Sequence, residues 1–428
     1  MQKVIKRSGP LKGEITAAAD KSISHRAVIF SSLARGESII RNFLQAADTL
    51  SSCSCMRQLG VNITRDGSNL KINSQGLNGL KEAPDVLDCG NSGTTMRLMT
   101  GLLAARPFFT VLSGDESLNG RPMKRVTQPL QAMGAKIWGR KEGAYPPLAV
   151  KGKELEGIKY SMPVASAQVK SALLLAGLNA RGDTVIIEPE RSRDHSENML
   201  AAMGADIEVN GHEIRLKPGR DLQATEFLVP GDISSAAFFI VGASLVSGSE
   251  LLLKDIGINF TRSGIIEVLI NMGGNIKIEN RRNIGGEEIA DLVVKSAELH
   301  GTRVEGDIIP RLIDEIPILA VAMALAKGES IVSGASELRV KETDRIAAIC
   351  SELGKMGVKI QESEDGFSIQ GSPDCLTGNK VKSHGDHRIA MSLAIAALCA
   401  EGETTIDGAE AVSISFPEYW ELLEKTCR

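Results

Sequence analysis

The sequence predicts an α/β protein of two similar domains, each built from three repeats of roughly βαβαββ form. Three observations carry this reading. A break rich in Gly and charge follows a long apolar run six times, at Ala34–Ser38, Ala105–Phe108, Ala180–Thr184, Val246–Ser249, Ala326–Ser330 and Ala400–Thr404. The third positions of these breaks recur with a period of about 73 residues, longer than the common solenoid repeats. A second mark, Met-Gly or Leu-Gly before a short β-type run, returns at Gly60, Gly134, Gly204, Gly273 and Gly357. The 428 residues exceed one ordinary core and suit two domains of about 200 each.

Each repeat is expected to hold two helices. The apolar runs 27–34, 96–105, 169–178, 236–246, 316–326 and 389–399 have helical length and are rich in Ala, Leu and Met. A second helical pattern precedes each Gly mark, at 47–59, 122–133, 195–203, 263–272 and 343–356. A strand pair follows, as in 206–216, where apolar and polar residues alternate around Asn210-Gly211. The sixth copy stops short: it has a helix, a strand at 403–407 and a helix beginning near Pro417, and then the sequence ends. Residues 3–18 resemble the missing strand pair and have no helix before them. The N-terminus is therefore expected to complete the C-terminal domain, giving one domain of 1–19 plus 230–428 (repeats 4–6) and an inserted domain of 20–229 (repeats 1–3), with a hinge at the two crossings.

Composition narrows the function. Apolar content of 43% and charged content of 24% describe a soluble globular chain. A net charge of −4 and 4% aromatic residues oppose a nucleic-acid surface, which needs a basic field and stacking rings. The longest apolar run, Ile318–Ala326, is too short to span a membrane, and the first ten residues lack the apolar core of a signal peptide. Seven cysteines form no CxxC pair or zinc spacing, so reduced thiols, a cytoplasmic location and no metal are expected. Cys89, beside the polar Gly90–Thr95 turn, reads first as a small buried hydrophobe.

The repeats differ at their helix openings. Asp20, Asn91, Ser166, Asp232, Asp314 and Asp386 stand where an N-cap is needed. Beyond them lie cations, hydroxyls and amides, among them Lys21, Ser22, His25, Arg26, Gln168, Lys170, His387 and Arg388, with Arg121, Arg191, Lys341 and Arg345 at the second helices. Helix N-termini carry partial positive charge and free N–H donors, so starts gathered at one end of each domain would bind a multiply anionic small substrate in a closable interdomain cleft. Taken singly, each opening also fits a capped, solvated helix start or a surface ion pair.

Asp20–Ala27, Gly90–Arg97, Arg121–Met123, Arg339–Arg345 and Asp386–Met391 resemble the 5-enolpyruvylshikimate-3-phosphate synthase family, in the family's order and over essentially the whole chain. Ser166–Ser171 and Ser192–His195 are similar to its bacterial class II branch. The resemblance implies the enolpyruvyl transferase fold (two inside-out α/β barrels, the active site in the cleft) and transfer of an enolpyruvyl group from phosphoenolpyruvate to shikimate 3-phosphate without metal or cofactor. It implies that Lys21, Ser22, Arg26, Ser166, Gln168, Asp314 and Lys341 bind shikimate 3-phosphate. Lys21, Gly93, Arg121, Gln168, Arg345 and Arg388 surround phosphoenolpyruvate. Asp314, Glu342 and Lys21 are the implied acid–base groups. A monomer with small-molecule partners is expected, and Gly93 leaves room for glyphosate, an anionic phosphoenolpyruvate mimic.

One departure stands out. Many relatives have a Lys shortly before the Phe-Pro of the last helix, where this chain reads Val412–Pro417 without a cation. Two alternatives compete: the related transferase acting on UDP-N-acetylglucosamine, which uses a loop Cys near the position of Asp115, and a non-catalytic repeat scaffold.

Overall fold

The computed structural model describes residues 1–427. Its strands fall into six small sheets, and five of them share one order: an edge strand parallel to the second, which is antiparallel to a third, which pairs with a fourth. In the third repeat, Lys159–Ser161 runs parallel to Thr184–Ile187, which lies antiparallel to Glu213–Lys217 and then Asp206–Asn210. The glycines that punctuate the repeats are conformational requirements. Gly36, Gly182, Gly248, Gly328 and Gly402 all have φ between 76° and 111°, and Gly60, Gly134, Gly204, Gly273 and Gly357 have φ between 89° and 97°. A side chain with a Cβ is strained there, which is why Gly recurs with the period.

The terminal strands differ from the expectation of a borrowed pair. Gln2–Lys6 lies antiparallel to Glu403–Asp407 in the sixth sheet, while Lys12–Thr16 runs parallel to Glu250–Gly257 in the fourth. Each therefore fills the place its repeat lacks, a third strand in one and a first strand in the other. The inserted segment closes likewise: Glu226–Leu228 returns to run parallel to Arg35–Arg41 of the first repeat.

The chain divides into two compact units: one of Met1–Ala18, Gly231–Arg282 and Glu288–Arg428, the other of Ala19–Pro230 with Asn283–Glu287. Each has its own core. The first helix of each repeat lies in that core: every residue of Ile316–Leu325 is buried, as is all of Ile233–Leu245 except Leu245. A helix apolar all round is stable only when surrounded by protein. Burying one such side chain, Leu319 for example, contributes about 1.5–3 kcal/mol. The second helices, such as Arg345–Lys355, bury one face and leave the other in water. In the first unit Phe238 packs edge-on against Tyr419 and Phe239 against Phe416, with Phe416 tilted against Tyr419, so the Phe416-Pro417 stretch anchors the last helix to the core. Among the described residues no helix is long and apolar enough to cross a membrane.

Candidate active site

In the unit containing repeats 1–3, three core helices begin with capped, polar first turns. Asp20 accepts from Ile23 N at 2.8 Å, and Ser166 from Val169 N at 3.5 Å. The third cap corrects the sequence expectation: Ser92, not Asn91, accepts from Thr95 N at 3.1 Å. Asn91 is freed for other work, its Oδ1 accepting from Arg121 Nη2 at 2.6 Å and its Nδ2 donating to Asp115 at 2.7 Å.

These turns are cross-linked. The buried Arg26 donates from Nε to Ser196 Oγ and from Nη2 to Ser171 Oγ, both at 2.8 Å, and from Nη1 to the Ser22 carbonyl at 3.0 Å. Burial lowers its pKa to about 10, partly offset by Glu197, so it stays charged near neutrality. Gln168 accepts from Arg97 Nη1 at 2.6 Å and donates to Thr94 Oγ1 at 2.8 Å, tying the second and third repeats together. A Cβ on Gly93 would sit 2.7 Å from Arg97 Nη1 and 3.7 Å from Arg121 Nη1, so Gly93 lies under two guanidinium groups. Burial, then Arg121 and Arg125, bring Arg97 down to about 10. Lys21 forms an ion pair with Asp48. Behind the turns, Lys170 is buried between Glu188 at 2.8 Å and Glu197 at 2.6 Å.

The unit of repeats 4–6 gathers carboxylates and cations at its own helix starts. Asp386 caps its helix through Arg388 N at 2.8 Å, and Asp232 caps through Ser234 N at 3.0 Å. Asp314 is not at a cap position, contrary to expectation: Leu312 precedes its turn and Glu315 precedes the helix that follows. It sits in the single 3-10 turn Ile313–Glu315, and Pro317 near the start of the next helix removes one donor a cap would serve. Its carboxylate instead faces cations: Arg345 Nη1 at 3.3 Å, Lys341 Nζ at 3.7 Å and Arg388 Nη2 at 4.0 Å. Arg388 Nη1 also donates to the Asp314 carbonyl at 3.2 Å.

Arg345 is the hub, reaching Asp386 at 2.7 Å and Glu342 at 2.6 Å besides Asp314. Burial works against its charge, but Asp386, Asp314 and Glu342 outweigh burial and raise its pKa. Burial likewise opposes the Asp386 carboxylate, and Arg345 overcomes it, leaving that pKa below the usual range. Burial and then Arg388 push His387 down to about 4.

The structure thus brings Ser22, Arg26, Gly93, Arg121, Ser166, Gln168 and Lys21 to helix starts of one unit. It brings Asp314, Lys341, Glu342, Arg345 and Arg388 to the other. Three supporting residues were not assigned from sequence: Arg97, Asp48 and Asp386 as the partner of Arg345. Arg97 and Asp386 lay inside the quoted motifs, but nothing in the order of residues shows which side chain each would meet.

These clusters of cations around carboxylates, set on six repeats of one α/β design, suit the binding of small anionic molecules. The model of the EPSP synthase (3-phosphoshikimate 1-carboxyvinyltransferase) family matches residues 5–423, and the chain belongs to that family. It is 64% identical to the 3-phosphoshikimate 1-carboxyvinyltransferase of Syntrophomonas wolfei subsp. wolfei over 423 residues, 99% of each chain. It is 55% identical to that of Thermodesulfovibrio yellowstonii, again over 99% of each. A solved EPSP synthase from Acinetobacter baumannii is similar with a TM-score of 0.94 and 43% identity, covering 99% of this chain and 98% of that one.

Proposed function

We propose that this chain transfers the carboxyvinyl group of phosphoenolpyruvate to the 5-hydroxyl of shikimate 3-phosphate and releases phosphate. One observation carries the reading: a single carboxylate, Asp314, is surrounded by Arg345, Lys341 and Arg388. A base and the cations that would receive two anionic substrates therefore occupy one place.

The chemistry requires these groups. The 5-hydroxyl oxygen attacks C2 of phosphoenolpyruvate while its proton passes to Asp314 and C3 gains a proton, giving a tetrahedral adduct. C3 then loses a proton, the double bond reforms and the C–O bond to phosphate breaks. Glu342 and Lys21 are the groups that give and take the C3 proton. Glu342 suits this role because it is half exposed yet held by Arg345. Arg121, Arg345 and Arg388 balance phosphate and carboxylate charge and stabilise departing phosphate. Gly93, Gln168 and Lys21 line the same ligand. Ser22, Arg26, Ser166, Gln168, Lys341 and Asp314 hold shikimate 3-phosphate, Arg26 being already oriented by Ser171 and Ser196.

The two functional domains are residues 1–19 with 230–428 and residues 20–229, and the protein works as a cytoplasmic monomer. Glyphosate competes with phosphoenolpyruvate. The reading that uses a nucleophile near position 115 gains no support, because Asp115 is engaged as a cap, accepting from Leu118 N at 2.8 Å. Phosphate release measured with both substrates, with each alone and with UDP-N-acetylglucosamine tests the assignment. Release only with shikimate 3-phosphate plus phosphoenolpyruvate is expected; release with the nucleotide sugar, or none at all, refutes it.

A further inference from the structure

Two residues before the Asp386–Arg388 turn, the backbone takes an unusual course. His384 has φ of 53° and Gly385 φ of 74°, two successive left-handed residues of which only one is glycine. A non-glycine side chain in this region is strained, so something must hold His384 there. Ser383 fixes one side, donating from Oγ to the Gly408 carbonyl at 2.9 Å, while its own carbonyl accepts from Asp386 N at 3.0 Å.

The other side is held by Glu352, on the helix Arg345–Lys355. Its carboxylate is fully buried and accepts from three donors: Lys355 Nζ at 2.7 Å, His384 Nε2 at 2.8 Å and Lys382 N at 3.0 Å. Burial resists its charge, but Lys355, His384 and Lys382 N outweigh burial and draw its pKa below the usual glutamate value. Glu352 follows Arg345 by seven residues, two helical turns on the same face. One helix therefore grips the turn at two points, through Arg345 on Asp386 and through Glu352 on Lys382 and His384.

We propose that Glu352 is a positioning residue for phosphoenolpyruvate: it holds the strained Lys382–Gly385 turn so that Asp386 and Arg388 enter the site correctly placed. Glu352 contacts no group assigned to substrate and acts through its three partners. A glutamine there must turn an amide N–H toward one of three donors, so it cannot replace the carboxylate. The proposal rests on the reading of Arg388 as a phosphoenolpyruvate ligand.

The test measures KM for each substrate and kcat by phosphate release, with Arg388→Lys as reference and a thermal midpoint for every variant. Glu352→Gln and His384→Ala are each expected to raise KM for phosphoenolpyruvate by about tenfold, leaving KM for shikimate 3-phosphate and kcat within about twofold. His384→Gly removes the strain along with the ring, so it should cost less than His384→Ala and should restore most of the loss when combined with Glu352→Gln. Should Glu352→Gln fail to fold, the Ala–Gly contrast at His384, a partly exposed residue, decides alone. The proposal is overturned if Glu352→Gln and His384→Ala leave KM for phosphoenolpyruvate unchanged while Arg388→Lys raises it. It is equally overturned if the loss spreads evenly over both substrates and kcat, or if His384→Gly is no better than His384→Ala. An Arg388→Lys enzyme with unaltered KM for phosphoenolpyruvate removes the underlying reading, and the proposal with it.

Discussion

Arg345 Nε donates to Asp386 Oδ2 at 2.7 Å, with both side chains withdrawn from solvent. The pair joins a second helix of the fifth repeat to the first helix of the sixth, and it fixes the guanidinium that also faces Asp314 and Glu342. Asp386→Ala would leave a buried cation with weaker partners and remove a helix cap. A loss of about 3 kcal/mol in unfolding free energy is expected, read from urea denaturation. A loss under about 1 kcal/mol would show that Asp314 and Glu342 alone satisfy Arg345.

Glu342 lies on the same hub, bound to Arg345 at 2.6 Å but open to solvent. Glu342→Gln keeps the shape and loses the titrating group. Its kcat should fall by about 10²-fold or more, with both substrates still bound, as measured by steady-state rates and equilibrium binding. Unchanged kcat would remove Glu342 from proton transfer.

Gly93 lies close to the Arg97 and Arg121 guanidinium groups, and a methyl group there meets Arg97 Nη1 at 2.7 Å. The contact is with the end of a flexible side chain, so Gly93→Ala should fold and displace Arg97 rather than the backbone. Glyphosate inhibition is expected to be competitive with phosphoenolpyruvate and to weaken by roughly 10-fold or more in Gly93→Ala. Inhibition independent of phosphoenolpyruvate concentration would place the inhibitor elsewhere.

His25 is fully buried: Nδ1 lies 2.8 Å from Ser52 Oγ, and Nε2 has no hydrogen-bond partner among the described residues. Burial, followed by the charge on Lys21, lowers its pKa from 6.5 to about 3. The unfolded chain takes up a proton that the folded chain refuses. His25 therefore contributes stability above pH 6.5 that is lost progressively as pH falls toward 3. Between pH 7 and 5 the loss from this residue is about 2 kcal/mol. Urea midpoints at the two pH values should differ less in His25→Asn than in the parent; an equal difference would contradict the buried neutral state.

The period of the fold was legible because its punctuation is physical. Gly36, Gly182, Gly328 and Gly402 sit where φ is positive, and an apolar run such as Ile316–Leu325 can only be a surrounded helix. The destination of the first strands was less legible. Lys12–Thr16 and Gln2–Lys6 each bury a single residue, Ile15 and Ile5, and only the backbone partners on offer send one to Glu250–Gly257 and the other to Glu403–Asp407. Helix caps show the same limit: Asn91 and Ser92 are both good caps, and the demands of Arg121 and Asp115 on Asn91 settle the choice. Sequence order marks charged helix starts, whereas partners such as Asp48 for Lys21 or Glu352 for His384 are set by packing between elements.

Asp314 is the proposed base for the attacking hydroxyl, and Asp314→Asn tests that role directly. In Asp314→Asn, single-turnover formation of the tetrahedral adduct is measured alongside the dissociation constants of both substrates. The expected result is a rate reduced by about 10²- to 10⁴-fold with binding retained within a few-fold. Adduct formation at the parental rate would show that Asp314 is not the base.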